Sequence, residues 1–229
     1  MSQVHSNKSK VAVIGLGKIG KIVATNLVKG NRPVIVADRK PEKTKALSDT
    51  LGRLALPMEI SAAIKEADII VLAIWYDAIK ELLKQYAVEL QGKIIVDPSN
   101  PIAPDDKGGF VKTIGDNESA GQILAAILPK NAKLAKALGT LSADSLENAA
   151  FQKPEPAVLF YATDATGINA EIEDLIRDNG FEPIQVGGLD QSARIEVFGD
   201  LHEFGALGKT VTVSEAKGKL QPQQFYSVG

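Results

Sequence analysis

The chain has no cysteine among its 229 residues. Disulfides, thiolate nucleophiles and thiolate metal centres are therefore excluded. Histidine is scarce as well: His5 lies near the start and His202 far along the chain. With so little histidine there is no His/Asp/Glu spacing for a metal site. No G-x-S-x-G elbow offers a nucleophilic serine. Charge of one sign is also missing: 26 Lys and Arg against 28 Asp and Glu leave a net charge of −2. Lys and Arg are spread along the whole chain, without the basic stripe of a nucleic-acid footprint, so nucleic acid is not an expected partner. No apolar run approaches the ~20 residues of a membrane span, and Met1 to Lys10 lacks the apolar core of a signal peptide. The expectation is a soluble, cytoplasmic protein without a membrane partner. A chain of this length buries roughly 70–75% of the surface its unfolded form exposes, so its core needs no covalent staple.

What is present begins at Val11-Ala-Val-Ile-Gly15-Leu-Gly17-Lys-Ile-Gly20. A short apolar strand runs into G-x-G-x-x-G, and a helix follows from Lys18 to about Lys29. The first glycine permits the tight turn, the second admits a pyrophosphate to the backbone, and the third lets helix and strand pack closely. The phosphates would sit on the helix N-terminus, where unpaired N–H groups point at the anion. A second strand, Pro33 to Ala37, ends at Asp38, where a dinucleotide fold places the residue that reads the adenine ribose. A glycine-rich turn that merely packs a helix on a strand would leave Asp38-Arg39 unexplained.

Strands and helices then alternate. Pro41 opens a helix, Glu59–Glu66 is a short helix, and Asp68–Ile74 is a continuous apolar run, as expected of a strand covered on both faces. Asp77–Leu90 has helical spacing at Ile79, Leu82, Leu83 and Tyr86. Lys93–Asp97 is the next strand, broken at Pro98-Ser99-Asn100-Pro101. Pro104–Glu118 reads as a long polar loop, and such loops are usually functional or mobile. Ser119 caps a helix through Leu128. Lys133–Leu138, Ala157–Tyr161 and Pro183–Val186 read as strands, with the helix Ile168–Asp178 between the last two. Ser192–Leu207 reads as a final helix and the residues beyond Val213 as a loose tail or an arm onto a partner subunit. This order predicts an α/β fold: a Rossmann-type, doubly wound, mostly parallel sheet with a small C-terminal α/β extension. The expected spans are a flexible leader (1–9), a dinucleotide-binding domain (10–140), a small substrate or dimerisation part (141–213) and a tail (214–229).

Ligands in such sheets bind beyond the carboxyl ends of the strands. The segments at those ends are therefore the site candidates: Gly15–Gly20, Asp38–Lys43, Ala73–Asp77, Asp97–Ile102 and Ala137–Thr140. The expected nucleotide contacts are Gly15, Leu16, Gly17, Lys18, Ile19, Gly20, Asp38, Arg39, Lys43, Ala73, Ile74, Trp75, Ile79, Asn100 and Pro101. The loop from Asp38 to Lys43 points both ways on cofactor choice. The Asp38 carboxylate suits the ribose hydroxyls of NAD and repels the 2′-phosphate of NADP by about 4 kcal/mol at ~4 Å in a surface-like dielectric. Arg39 and Lys43 offset that repulsion, and NADP wins if Asp38 turns away. Trp75 is the only tryptophan; it walls the pocket or packs in the core or a subunit interface. The amide of Asn100 suits the nicotinamide ribose or carboxamide. Lys130, Lys133 and Lys136 read as a solvated face, and Gly139, Thr140 and His202 fall on the substrate side. No catalytic acid–base pair is assigned. Hydride transfer between two flat redox cofactors needs little of one, because the cofactors carry the chemistry and the protein holds them face to face.

These segments resemble the coenzyme F420-dependent NADP oxidoreductase family, which includes the oxidoreductase domains of the STEAP metalloreductases. The resemblance rests on Val11–Gly20, Asp38–Lys43, Val71–Ile79, Lys93–Ile102 and Lys136–Thr140, and continues through Pro156–Phe160, Gly180–Pro183 and Ser192–Glu196. It implies NADP or NAD as cofactor, F420 or a flavin as second ligand and small-molecule redox acceptor, and a homodimer. This chain departs from the family at Asp38, where a small polar residue is usual, at Trp75, where proline is common, and at Leu138-Gly139, where the family carries Phe-Asn. Two other readings stay open. One is a reductase of a small carbonyl, imine or quinone, with the Pro104–Glu118 loop as lid and His202 or Tyr76 as proton donor. The other is a dinucleotide-binding module without turnover.

Overall fold

The computed structural model describes residues 8–220. His5 and most of the expected leader, together with the tail beyond 220, lie outside the described residues. Strands β1 (Val11–Ile14), β2 (Val34–Ala37) and β3 (Ala55–Pro57) alternate with helices α1 (Lys18–Lys29) and α2 (Pro41–Leu51). Then come α3 (Ile60–Glu66), β4 (Ile69–Leu72), α4 (Tyr76–Gln85), β5 (Ile94–Asp97), β6 (Ile102–Pro104), β7 (Phe110–Lys112) and α5 (Ala120–Ala125). The chain continues with β8 (Lys133–Lys136), α6 (Ala143–Asn148), β9 (Val158–Ala162), α7 (Asn169–Asp178), β10 (Glu182–Gly187) and α8 (Val213–Leu220).

One eight-stranded sheet, in the order β10-β9-β8-β5-β4-β1-β2-β3, runs through the molecule. The six strands from β3 to β8 are parallel; β9 joins β8 antiparallel through Lys136 and Ala162, and β10 lies parallel to β9. The sheet is therefore the expected doubly wound one, with a reversed pair of strands added by the C-terminal part. Its chain order turns back between β1 and β4, so the crevice at that switch point opens above the glycine-rich turn.

Strands β1, β2, β4 and β5 are buried along their whole length because helices cover both faces. Alternate residues supply the two layers. Val11, Val13, Val34, Val36, Ile69 and Val71 pack against Val23, Leu27, Leu146, Ile172 and Ile176 of α1, α6 and α7. Ala12, Ile14, Ile35, Ile70 and Leu72 face Ile64, Ile79, Leu83 and Leu124 of α3, α4 and α5. A third, smaller cluster joins Val158 and Phe160 to Ile195, Leu201, Leu207, Val211 and Ala216. At the opposite end of the sheet, Arg32 donates to Asp178 and to the carbonyl of Ser9, and Lys8 also pairs with Asp178. Residues 8 and 9 are thus tied down rather than part of a free leader.

Three sequence expectations are corrected. Pro104–Glu118 is not an irregular loop: β6 and β7 form an antiparallel hairpin with Pro104 opposite Phe110, and Asp105 turns it by accepting from the amides of Lys107 and Gly109. Ser192–Leu207 is not a helix. A 3-10 segment, Leu189–Arg194, gives way to successive turns. The chain crosses itself there too tightly for a helix: a Cβ on Gly199 would lie 2.3 Å from the Ala193 carbonyl oxygen, and one on Gly205 would lie 1.8 Å from that of Gly199. The tail from Val213 is helical as far as Leu220, with Thr212 N–H and the Ser214 hydroxyl donating to Glu215 and Glu155.

The closest packing in the sheet-helix layer is at Gly20, where a Cβ would sit 1.8 Å from the Gly15 carbonyl oxygen. Gly20→Ala is expected to cost roughly 1–3 kcal/mol through overpacking, read as a lower midpoint in urea unfolding.

Candidate dinucleotide site

The turn after β1 passes tightly from strand to helix. Gly15 has φ +93°, and a Cβ there would meet Ile74 and the Ala73 carbonyl at 2.4 and 2.5 Å. Only glycine fits, so the strand passes directly into the helix beside the end of β4. Gly17 differs: a Cβ there would have no neighbour within 4 Å. The space in front of Gly17 is open, although Gly15 and Gly20 on either side are closely packed. Gly17 is also the residue before α1; among the described residues no side chain caps that helix, and no acidic residue lies in its first turn. The early N–H groups of α1 therefore face open space with a positive dipole end, the arrangement that binds a phosphate. Lys18 lies exposed beside them and Ile19 is half-buried.

Asp38 closes the loop from the next strand. One carboxylate oxygen accepts from Leu16 N–H at 2.8 Å and the other from Lys40 N–H at 3.0 Å. The Leu16 amide is thus engaged by Asp38 and its side chain is buried. Arg39 and Lys43 are exposed on the same loop. Ala73 and Ile74 line the base of the crevice as half-buried residues. Ile79 is a correction to the nucleotide contacts: it is fully buried between α4 and the sheet, so its role is packing.

Beyond β4, Trp75 is 63% exposed, which excludes a place for it in the core. With Tyr76, Ile102, Pro104 and Thr113 it lines a cleft of about 230 Å³. The hairpin β6–β7 forms the far wall, anchored where Thr113 N–H donates to the carbonyl of buried Pro101. Tyr76 turns its hydroxyl inward, where it is buried and without a hydrogen-bond partner among the described residues. Burial, and secondarily the charges of Glu196 and Asp97, push its pKa up. Its ring packs under the Lys80 ammonium at 4.2 Å.

At the ends of β5 and β8 the contacts are mostly side chain to backbone. Asn100 donates to the Gly139 carbonyl at 3.2 Å and accepts from Val197 N–H at 2.7 Å, so its amide joins three segments. His202 donates from Nε2 to the same Gly139 carbonyl at 3.1 Å, while its Nδ1 accepts from Phe204 N–H at 3.0 Å. Those partners define the neutral tautomer with the proton on Nε2. Burial lowers its pKa to about 4. With both nitrogens engaged, His202 holds backbone and is not presented to the cleft. Gly139 permits the convergence, since a Cβ there would lie 2.4 Å from the Pro98 carbonyl oxygen. Leu138 before it takes φ +65°, a costly conformation for a residue that large. Thr140 is buried with its hydroxyl unpartnered among the described residues, and its carbonyl accepts from Glu203 N–H.

Several functional-end residues were invisible in the sequence. Lys136 is not part of a solvated face: it is buried and donates to Asp97 at 2.9 Å and to the Ser99 carbonyl. Asp97 in turn accepts from Ser99 N–H at 2.7 Å. This ion pair fixes the turn that presents Asn100. Glu196, also buried, accepts from the amides of Ala120 and Gly121 at 3.0 Å each. Glu203 accepts from Ser142 N–H and the Ser145 hydroxyl. No metal cluster of three His, Asp or Glu exists among the described residues, and no helix among them is long and apolar enough to cross a membrane.

The fold, the open glycine turn and the acidic residue closing β2 define the class as far as the fold goes: a Rossmann-type α/β protein with the arrangement of a dinucleotide-binding domain. Residues 10–101 match the family described as NADP oxidoreductase, coenzyme F420-dependent, which bears out the resemblance seen in the sequence. The chain is 25% identical over 196 residues to metalloreductase STEAP3 of Rattus norvegicus, an alignment covering 86% of this chain and 37% of that protein. It is 26% identical over 209 residues to the F420-dependent NADP reductase of Methanocaldococcus jannaschii, covering 82% of this chain and 87% of the reductase. A solved structure of a hypothetical protein from Sinorhizobium meliloti superposes with a TM-score of 0.74 at 29% identity, over 91% of this chain and 97% of that one.

Two outcomes follow from the buried groups. Lys136→Met leaves the Asp97 carboxylate buried and unpaired, and is expected to lower stability by about 3–5 kcal/mol in urea unfolding. His202 is neutral in the folded protein down to pH of about 4 but protonates at its ordinary value near 6.5 once unfolded. Its contribution is therefore complete above pH 6.5 and is lost as pH falls from about 6.5 to about 4, by up to about 1.4 kcal/mol per pH unit. Unfolding midpoints measured across that window should fall, and His202→Gln should flatten the fall.

Proposed function

We propose that the chain transfers a hydride between a nicotinamide dinucleotide and a flat, flavin-like or deazaflavin acceptor of the F420 type. The observation that carries this reading is the turn at Gly17, open in front and backed by an uncapped helix. Gly17 and the first amides of α1 would hold the pyrophosphate, Asp38 would meet the adenosine ribose, and Ala73 and Ile74 would lie under the nicotinamide half. When bound, the dinucleotide supplies the hydride chemistry. The chain's own work is to bind, orient and exclude water. Asn100 and His202 fix the Gly139 backbone, and Trp75 and the hairpin wall the cleft beyond β4. The exposed rings of Phe198 and Phe204 carry the same apolar, aromatic character along the segment that packs on Gly139. An aromatic acceptor suits such walls.

The same geometry weighs against the reading in which His202 or Tyr76 gives a proton to a small carbonyl. The His202 ring nitrogens are both committed to backbone, and the Tyr76 hydroxyl is shut away from the cleft. Besides the acceptor, the reading includes a second copy of this chain as partner and a cytoplasmic location.

NADH and NADPH oxidation should be assayed with F420, FMN, FAD, quinones, imines and small carbonyls. Turnover with a flavin-type acceptor is the expected result. Turnover confined to small carbonyls or imines moves the assignment to those substrates, and tight binding without any turnover leaves a binding module. Gly17→Val should abolish nucleotide binding while the unfolding midpoint stays close to that of the parent, because its side chain enters the ligand's space and its Cβ meets no protein atom within 4 Å. Retained affinity would place the pyrophosphate elsewhere.

A further inference from the structure

Asp38 does two jobs at once, and their coupling assigns the cofactor. Its carboxylate is the clamp between the loop after β1 and the loop after β2: Oδ2 accepts from Leu16 N–H inside the glycine-rich turn, and Oδ1 from Lys40 N–H. Both bonds are charge-assisted. Rotating the side chain out of the crevice would break both. It would also leave the Leu16 amide, in a buried residue, without its acceptor. The carboxylate therefore does not turn aside to admit a second anion. Each oxygen accepts one backbone donor, and each keeps acceptor capacity for a hydroxyl. The unmodified 2′- and 3′-hydroxyls of an adenosine ribose are donors that match this capacity. A 2′-phosphate has no such donor to offer when ionised and brings negative charge against a fixed negative charge. Arg39, Lys40 and Lys43 are the cations on this loop, and all three are exposed, where solvent screens their attraction for a phosphate.

Resting on the dinucleotide reading above, we infer that this chain selects NADH over NADPH, and that Asp38 is the residue that determines the choice. The Methanocaldococcus jannaschii relative is named an NADP reductase, so the inference separates this chain from it. The selection is tied to loop closure: the group that excludes the 2′-phosphate is the group that holds the pyrophosphate turn shut.

The test uses the full chain and needs no acceptor. Trp75 is the sole tryptophan and is exposed at the crevice, so quenching of its emission reports NADH and NADPH binding directly, with calorimetry as an independent measure. The parent protein should bind NADH at least tenfold more tightly than NADPH. Asp38→Asn keeps an acceptor oxygen for one amide and removes the charge, and Asp38→Ser removes the carboxylate altogether. Each should shift the ratio of dissociation constants tenfold or more toward NADPH. A parent ratio below tenfold, or tighter binding of NADPH, overturns the inference while leaving the dinucleotide reading intact. So does an unchanged ratio in a folded Asp38→Asn protein, checked by its thermal unfolding. If neither nucleotide binds the parent at millimolar concentration, the dinucleotide reading itself fails.

Discussion

The closure of the chain at Gly15 to Gly20 is the constraint on which the carboxyl edge of the sheet depends. Gly20 lies so near the Gly15 carbonyl that no side chain fits between them, and a side chain on Gly15 would in turn collide with Ala73 and Ile74 just beyond β4. These contacts set the axis of α1 against β1 and leave Gly17 facing outward with nothing before it. The N–H groups at the start of α1 are unsatisfied by side chains as a result. A helix start with its donors free and its dipole exposed is a standing attraction for a phosphate. Asp38 completes the arrangement from β2 by holding Leu16, so the turn has one shape before any ligand arrives.

The other half of the edge is organised by polar side chains that bind backbone. Glu196 caps α5, Glu203 caps α6, Asn100 joins Gly139 to Val197, and His202 reaches the same Gly139 carbonyl. Together they bind the segment 195–204, which has little regular structure, across the ends of the strands. Buried polar groups are tolerated only when paired, and here each pairing fastens a turn that periodic structure does not. The residues that look most like acids and bases are therefore consumed by architecture. The cleft is walled mainly by apolar and aromatic groups, Trp75 and Tyr76 with Ile102, Ala103 and Pro104 of the hairpin, beside Asp77 and Thr113, and Phe198 and Phe204 are exposed on the strapping segment. That division of labour fits chemistry carried by bound cofactors better than proton transfer by side chains.

The Lys136–Asp97 pair sits beneath both halves. Such a buried pair adds little net stability over an apolar pair of similar volume, but losing either partner is costly. Its effect here is geometric. Lys136 also holds the Ser99 carbonyl, and Asp97 holds the Ser99 amide, so the turn that carries Asn100 has its position set from two strands at once.

The sequence by itself determined the periodic part of this protein. Apolar runs at β1, β4 and β5, helical spacing in α4, and glycines at 15, 17 and 20 are local patterns, and local patterns follow from backbone sterics and from burial of one or both faces of an element. The position of Asp38 at the end of β2 follows from the same count. Tertiary structure alone decided what those elements hold between them. Lys136 meets Asp97 across 39 residues, His202 meets Gly139 across 63, and Asn100 meets Val197 across 97. No periodicity encodes such meetings, because each needs the sheet order before its partners are neighbours. Ser192–Leu207 shows the same limit from the other side. Its apolar spacing suggests a helix, but glycines at 199 and 205 allow the chain to cross itself. Polar contacts with distant backbone then outweigh the local preference.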